Sequence, residues 1–348
     1  MRLQPPRASE ELPGNDNIRP HRHTESLVAA TVERFRTATV WLVLASITVA
    51  ILFAWILPVQ VKPDGTFVID WLLASFLAVS RVWWQRAGHR RIADACGTFA
   101  LVALGGMAGG AIAMLELALH LPLVDGMLRT WDLALGLDGL AITDWLVRQG
   151  DWIFALMKPA YNYTILIFFF GLAALSLLGD RVEAWRAAFC FAGTLLTTCL
   201  IAILLPAKGL GVWAPAALLD KLPAHAMRTF WPHFDQFYSG ANPVLQLQVI
   251  DGVVSFPSFH AVTGFLVVAM WRKHLLTLVP AVAWLVFMLL ATLPGGGHYL
   301  VDLFAGFAVW AAWFALSRHV ERVALRATHA AASAIEDDDG QCAQLTSS

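Results

Sequence analysis

Apolar and polar positions alternate along this chain on the scale of whole segments. Eight apolar runs, at 38–58, 67–84, 96–119, 159–178, 185–206, 257–271, 276–294 and 298–317, are separated by polar connectors. A bilayer core takes roughly 20 mostly apolar residues per helix, so each run predicts a membrane-spanning helix. The second run carries Asp70 within it, and the sixth is short if Pro257 marks its start, although proline suits a first helical turn. The predicted fold is an all-α polytopic membrane protein with eight transmembrane helices.

The basic residues test the orientation of those helices. With the N-terminus placed in the cytoplasm, that side receives Arg2, Arg7, Arg19, Arg22, Arg34, Arg36, Arg81, Arg86, Arg90, Arg91, Arg181, Arg186, Arg272, Lys273, Arg318, Arg322 and Arg326. The far side receives only Lys62, Arg129, Arg148, Lys158, Lys208, Lys221 and Arg228. By the positive-inside rule the chain is expected to have an even number of spans and both termini in the cytoplasm. Its two longest loops, about 120–158 and 207–256, then lie on the periplasmic or lumenal side. The first sets Asp125, Asp132, Asp138 and Asp144 among apolar groups, a pattern suited to helices lying along the interface. The second, with Trp213, Trp231, Pro215, Pro223 and Pro232, predicts no regular structure. The leading segment 1–36 is read as a cytoplasmic disordered tail without the basic start and apolar core of a secretory signal, so the first span is the expected insertion signal. The segment 319–348, carrying 336-EDDD-339, is read as a cytoplasmic tail, disordered from 327.

Composition agrees with this class. The chain has 348 residues, 58% hydrophobic and only 14% charged, against ~25% charged in a soluble domain, and its mean hydropathy is +0.63. A formal charge of -1 gives no reason to expect a nucleic acid partner. Of the four cysteines, Cys190 and Cys199 share one apolar run, Cys96 begins another and Cys342 lies in the polar tail, so neither a disulfide nor a metal-binding spacing is indicated.

Two entrances to apolar runs carry titratable groups that a membrane helix ordinarily lacks. One is 255-SFPSFHAV-262, with Ser258 and His260; the other is 295-GGGHYLVDLFAG-306, with His298 and Asp302 four residues apart. The topology starts the sixth and eighth spans on the same side, which brings these groups to one surface. A carboxylate one helical turn from a histidine can hold one ring nitrogen protonated and leave the other free as a nucleophile or base. A helix start beside His260 offers unpaired N–H groups and a positive dipole end to an anion such as phosphate. Structural readings stand beside these: an interfacial histidine for His260 and a plain hydrogen bond for His298 and Asp302. Convergence of ionisable groups at the ends of apolar spans favours a functional site. A metal site would have two histidines and one carboxylate with no fourth ligand in view. Haem held between His260 and His298 would leave Ser258 and Asp302 without a role, so no metal or cofactor is expected.

With these residues the chain resembles the type 2 phosphatidate phosphatase superfamily over roughly residues 96–317. The family's P-S-x-H and H-x-x-x-D motifs read here as 257-PSFH-260 and 298-HYLVD-302. The resemblance implies a six-helix lipid phosphatase or phosphotransferase core at 96–318, preceded by two additional transmembrane helices within 37–95. It also implies that His298 attacks phosphorus, Asp302 orients it and His260 protonates the leaving oxygen, through a phosphohistidine. Phe259 stands where the phosphatase branch has glycine, and Ala291 and Thr292 stand where it has a Ser-Arg pair. Those departures, with the F-P-S-x-H and H-Y-x-x-D wording, look more like the inositol phosphorylceramide synthase branch, which transfers headgroups between lipids. The family's lysine seven residues before Arg-Pro is half met by Lys221 and Arg228, with Thr229 replacing the proline and Lys208 as a rival. Ser258, Lys221, Arg228 and Lys208 are the expected phosphate-binding residues, the partners being a lipid phosphate and the bilayer. Water as acceptor would give a phosphatase, and loss of the usual arginine raises a second possibility, a non-enzymatic lipid-binding membrane protein.

Overall fold

In the computed structural model the described residues are 18–63, 65–223, 226–240, 243–246 and 253–346. They form helices α1 (Ile18–Ile56), α2 (Gly65–Arg86) and α3 (Arg90–Leu115), then short helices α4 (Asp125–Ala134) and α5 (Gly139–Arg148). Long helices α6 (Asp151–Leu178) and α7 (Arg181–Leu204) follow, then α8 (Ala216–Leu219) and α9 (Trp231–Ser239), and finally α10 (Phe259–Trp271), α11 (Leu275–Gly296) and α12 (Leu300–Thr346). The chain is nearly all α-helical. Among the described residues, seven helices are long and apolar enough to cross a membrane; α10, with 13 residues, falls short. At 1.5 Å per residue it extends about 20 Å, against the ~30 Å of a bilayer core.

The bundle centre is built on α7, buried over most of its length, with α3, α6, α10 and α12 around it. Trp185, Phe189, Phe191, Phe168, Val262 and Leu266 form its largest apolar cluster. Helix α11 packs on α6 and α10, α1 on α3, α7 and α12, and α2 mainly on α3. Side chains such as Trp55, Ile69, Leu72, Phe76 and Val79 on α1 and α2 are exposed, as expected of surfaces that face lipid.

Several boundaries differ from the sequence reading, each for a local reason. Helix α1 starts at Ile18, inside the segment read as a disordered tail; residues 1–17 lie outside the described residues. Val28, Thr31, Val32, Phe35 and Thr39 recur at helical spacing, and Phe35 packs on Phe189, so this amphipathic turn belongs to the bundle. Helix α6 starts at Asp151, eight positions ahead of the predicted 159, because Asp151 suits a helix start and Pro159 is accommodated within the helix. Helix α12 continues to Thr346, past the expected disorder at 327, through an alanine-rich stretch of high helix propensity. The loop 207–256, predicted without regular structure, contains α8, α9 and strand β2 (Val244–Leu245), which pairs in parallel with β1 (Gln60–Val61). The link between α1 and α2 is thereby tied to the segment leading into Ser255.

Candidate active site

Helix α11 is capped by Gly297, whose left-handed backbone (φ 65°) bonds back to Leu293 O at 3.1 Å, while His298 N bonds to Thr292 O at 3.2 Å. A side chain at Gly297 would also crowd Met227 O, so glycine is the residue this turn admits. His298 therefore sits in the turn before α12 rather than on the helix, a correction to the expected helical face. Its four-residue contact with Asp302 survives, Nδ1 to Oδ2 at 3.2 Å.

Asp302 Oδ2 also accepts from Ser255 Oγ at 2.8 Å and from Tyr299 N at 2.9 Å. The Asp302 carbonyl accepts from Ser258 N at 3.1 Å, which ties the starts of α12 and α10 together. His298 Nδ1 faces a second acceptor, Ser255 O, at 3.0 Å. With two acceptors facing Nδ1, that nitrogen is the donor, and in the neutral ring Nε2 keeps its lone pair, 3.4 Å from Ser258 Oγ. Ser258 caps α10 by accepting from Ala261 N at 3.3 Å. His260 lies in the first turn of α10, its ring 6.3 Å from that of His298 and stacked on Tyr161 of α6 at 4.2 Å. Ser255, Asp302, Ser258 and His298 are buried.

A cavity of about 560 Å³ opens beside His260, between α6, α11 and the loop before α9. Phe154, Met157, Phe230, Ala291 and Pro294 give it apolar walls, and Lys158, Tyr161, Asn162 and Thr229 add polar groups. The loop cations expected at the site do not line it. Lys208 pairs with Asp235 at 2.6 Å and lies over Trp231, Lys221 lies 3.8 Å from Asp144, and the Arg228 guanidinium is 6.0 Å from the Trp231 ring centre. The residues missed from sequence are Ser255, which sits one motif position too early to be counted, and Tyr161 and Lys158, which lay outside the motif stretches.

The loop aspartates support the site from behind. Asp132 accepts from Leu300 N at 3.0 Å and Val301 N at 2.8 Å, capping α12 from another helix. Burial pushes its carboxyl above the usual range, and those two N–H groups counter part of that push. Asp125 accepts from Lys208 N, Gly209 N and Tyr299 Oη at 2.9, 2.7 and 3.0 Å. Burial and the neighbouring Asp125 raise the Tyr299 phenol. Asp138 caps α5 and bonds Arg129 at 2.8 Å, which holds its carboxyl below the ordinary range. Residues read as the polar face of interfacial helices thus include the pins that fix the start of α12.

A family model described as the PAP2 superfamily matches residues 127–316, more than half of the chain. The chain belongs to the PAP2 superfamily. The matched segment begins in α4 and runs into α12, so it takes in both motifs but leaves α1, α2 and α3 outside. No curated protein and no solved structure matches the chain. Membership of this superfamily suggests a membrane lipid phosphatase or phosphotransferase.

Proposed function

We propose that this PAP2 superfamily member is a lipid phosphotransferase that works through a phosphohistidine, moving a phosphorylated headgroup between lipids in the manner of the inositol phosphorylceramide synthase branch. One observation carries the reading: His298 Nδ1 is held by Ser255 O and the buried Asp302, which turns Nε2 away from both acceptors and leaves it beside His260 and an apolar-walled cavity. Nε2 attacks phosphorus and the P–O bond to the leaving alcohol breaks, while His260, which takes up a proton as the anionic phosphate binds, passes that proton to the leaving oxygen. An acceptor hydroxyl then gives its proton back to His260 and displaces His298, breaking the P–N bond. Water in the acceptor's place would make the same site a phosphatase. The sequence departures Phe259, Ala291 and Thr292 favour the transferase branch.

The topology that goes with this reading has eight spans, α10 completing a six-helix core with α3, α6, α7, α11 and α12. Both termini are cytoplasmic and the cavity opens on the periplasmic or lumenal side, as the distribution of lysine and arginine argues. The short α10 then starts below the membrane surface, where a lipid phosphate can reach His260 without leaving the bilayer. Product analysis tests the reaction: the full chain in micelles containing phosphatidate, phosphatidylinositol, ceramide and diacylglycerol, beside His298→Ala. A new headgroup-bearing lipid absent from the variant supports transfer, and free phosphate absent from the variant supports hydrolysis. Equal products from both proteins would refute the catalytic reading and leave lipid binding in its place.

A further inference from the structure

The cavity beside His260 presents a single cation, and it comes from an unexpected element. Among the described residues lining the cavity, Lys158 alone carries a formal positive charge, and no carboxylate lines it. Phe154, Ala155, Lys158, Tyr161 and Asn162 recur at i, i+1, i+4, i+7 and i+8, so one face of α6 forms this wall. Lys158 is one turn, about 5 Å of rise, from Tyr161, the ring stacked on His260. Its side chain is exposed towards the cavity, and it makes no hydrogen bond or ion pair among the described residues. By contrast the Lys208 ammonium is committed to Asp235, and Lys221 faces Asp144.

We propose that Lys158, with Asn162 one turn further along α6, is the phosphate-binding site of this protein, taking the place expected of the loop cations. The inference rests on the phosphotransferase reading for its kinetic consequences but not for binding itself. A phosphate ester whose phosphorus lies against His298 needs compensating charge on the side open to the cavity. Apolar walls flank that position, so the compensating charge has to come from the few polar groups present, and a charge-assisted bond is stronger than a neutral one. The ammonium supplies that charge, the Asn162 amide can donate to a second phosphate oxygen or to the headgroup, and the hydrocarbon part of the lipid meets Phe154, Met157 and Phe230.

Amine footprinting of the full chain in detergent micelles tests this without requiring turnover. Acetylation of Lys158, followed by mass spectrometry, is compared in micelles carrying phosphatidate, phosphatidylinositol or diacylglycerol, and with millimolar inorganic phosphate in the absence of lipid. The expected result is several-fold slower labelling of Lys158 with both phospholipids and unchanged labelling with diacylglycerol, in wild type and in His298→Ala alike. Lys208 and Lys221 should keep their rates. Protection by inorganic phosphate as well assigns the recognition to the phosphate alone, and its absence assigns it to a phosphate carried on lipid. Unchanged labelling in both phospholipids, or equal slowing by diacylglycerol, overturns the proposal. In turnover assays Lys158→Gln should raise KM about 10- to 100-fold with kcat within about threefold, and Lys158→Arg should recover most of the loss. Loss confined to kcat would overturn the binding role. Protection of Lys158 together with an active His298→Ala would refute the proposed reaction and leave the phosphate site standing.

Discussion

Replacing Asp302 by Asn separates the charge of this carboxylate from its geometry. Three donors converge on Oδ2, Ser255 Oγ at 2.8 Å, Tyr299 N at 2.9 Å and His298 Nδ1 at 3.2 Å, whereas the buried Oδ1 has no hydrogen-bond partner among the described residues. The amide oxygen of Asn is therefore expected at the Oδ2 position, with its NH2 at the unpartnered one. The tautomer of His298 survives as well, because Ser255 O accepts from Nδ1 independently at 3.0 Å. What disappears is the negative charge behind an imidazole that becomes cationic as Nε2 bonds phosphorus. Unit charges at this separation attract by about 5 kcal/mol at an effective dielectric of ~20. The amide dipole retains part of that, leaving a loss of about 3 to 4 kcal/mol, two to three orders of magnitude in rate. The assay is single-turnover release of headgroup by the full chain in mixed micelles. KM is expected to stay within about threefold, and the buried unpaired NH2 should lower the melting temperature modestly. Activity as low as that of His298→Ala would show that the tautomer had been lost, and activity near wild type would show that the charge is idle; either result refutes the reasoning.

Asp132→Ala removes the acceptor of two N–H groups at the start of α12 and should cost about 1 to 3 kcal/mol. Thermal unfolding in detergent should show a lowered midpoint, with kcat reduced because the same turn carries Asp302. Tyr161→Leu takes away the ring stacked on His260 and should reduce kcat about tenfold, with Tyr161→Phe close to wild type if stacking is the main role. The Arg129 bond to Asp138 lowers the folded-state pKa of that carboxyl, so its contribution is complete above the ordinary aspartate range near pH 4 and is lost as pH falls through the depressed value. Arg129→Gln should shift the acid unfolding midpoint upward, with an effect under about 1 kcal/mol because the Asp138 side chain is 41% exposed.

The parts legible in the sequence are those governed by local composition. Long apolar runs announced the membrane helices because lipid admits few alternatives, and two short motifs put His260, His298, Ser258 and Asp302 on one surface. Their boundaries were less legible, since α1 extends to Ile18 and α6 to Asp151 through residues whose helical state depends on packing against α7 and on chain turns such as Gly150. The supporting residues were the least legible. Asp125 and Asp132 look like solvated charges at the membrane interface, and only the fold brings them to the backbone of Lys208, Gly209, Leu300 and Val301. The cation shows the same limit from the other side. The family's lysine-to-arginine spacing selects Lys221 and Arg228, yet the requirement on a phosphate site is a charge at a point in space, and any element that passes that point can satisfy it. Helix α6 passes it, with Lys158 on the facing side. A motif is preserved in sequence when its residues must be neighbours along the chain, as Ser258 and His260 are within one helical turn. A counter-charge needs no such neighbour, so its place is read from the cavity wall and not from the spacing of lysines and arginines.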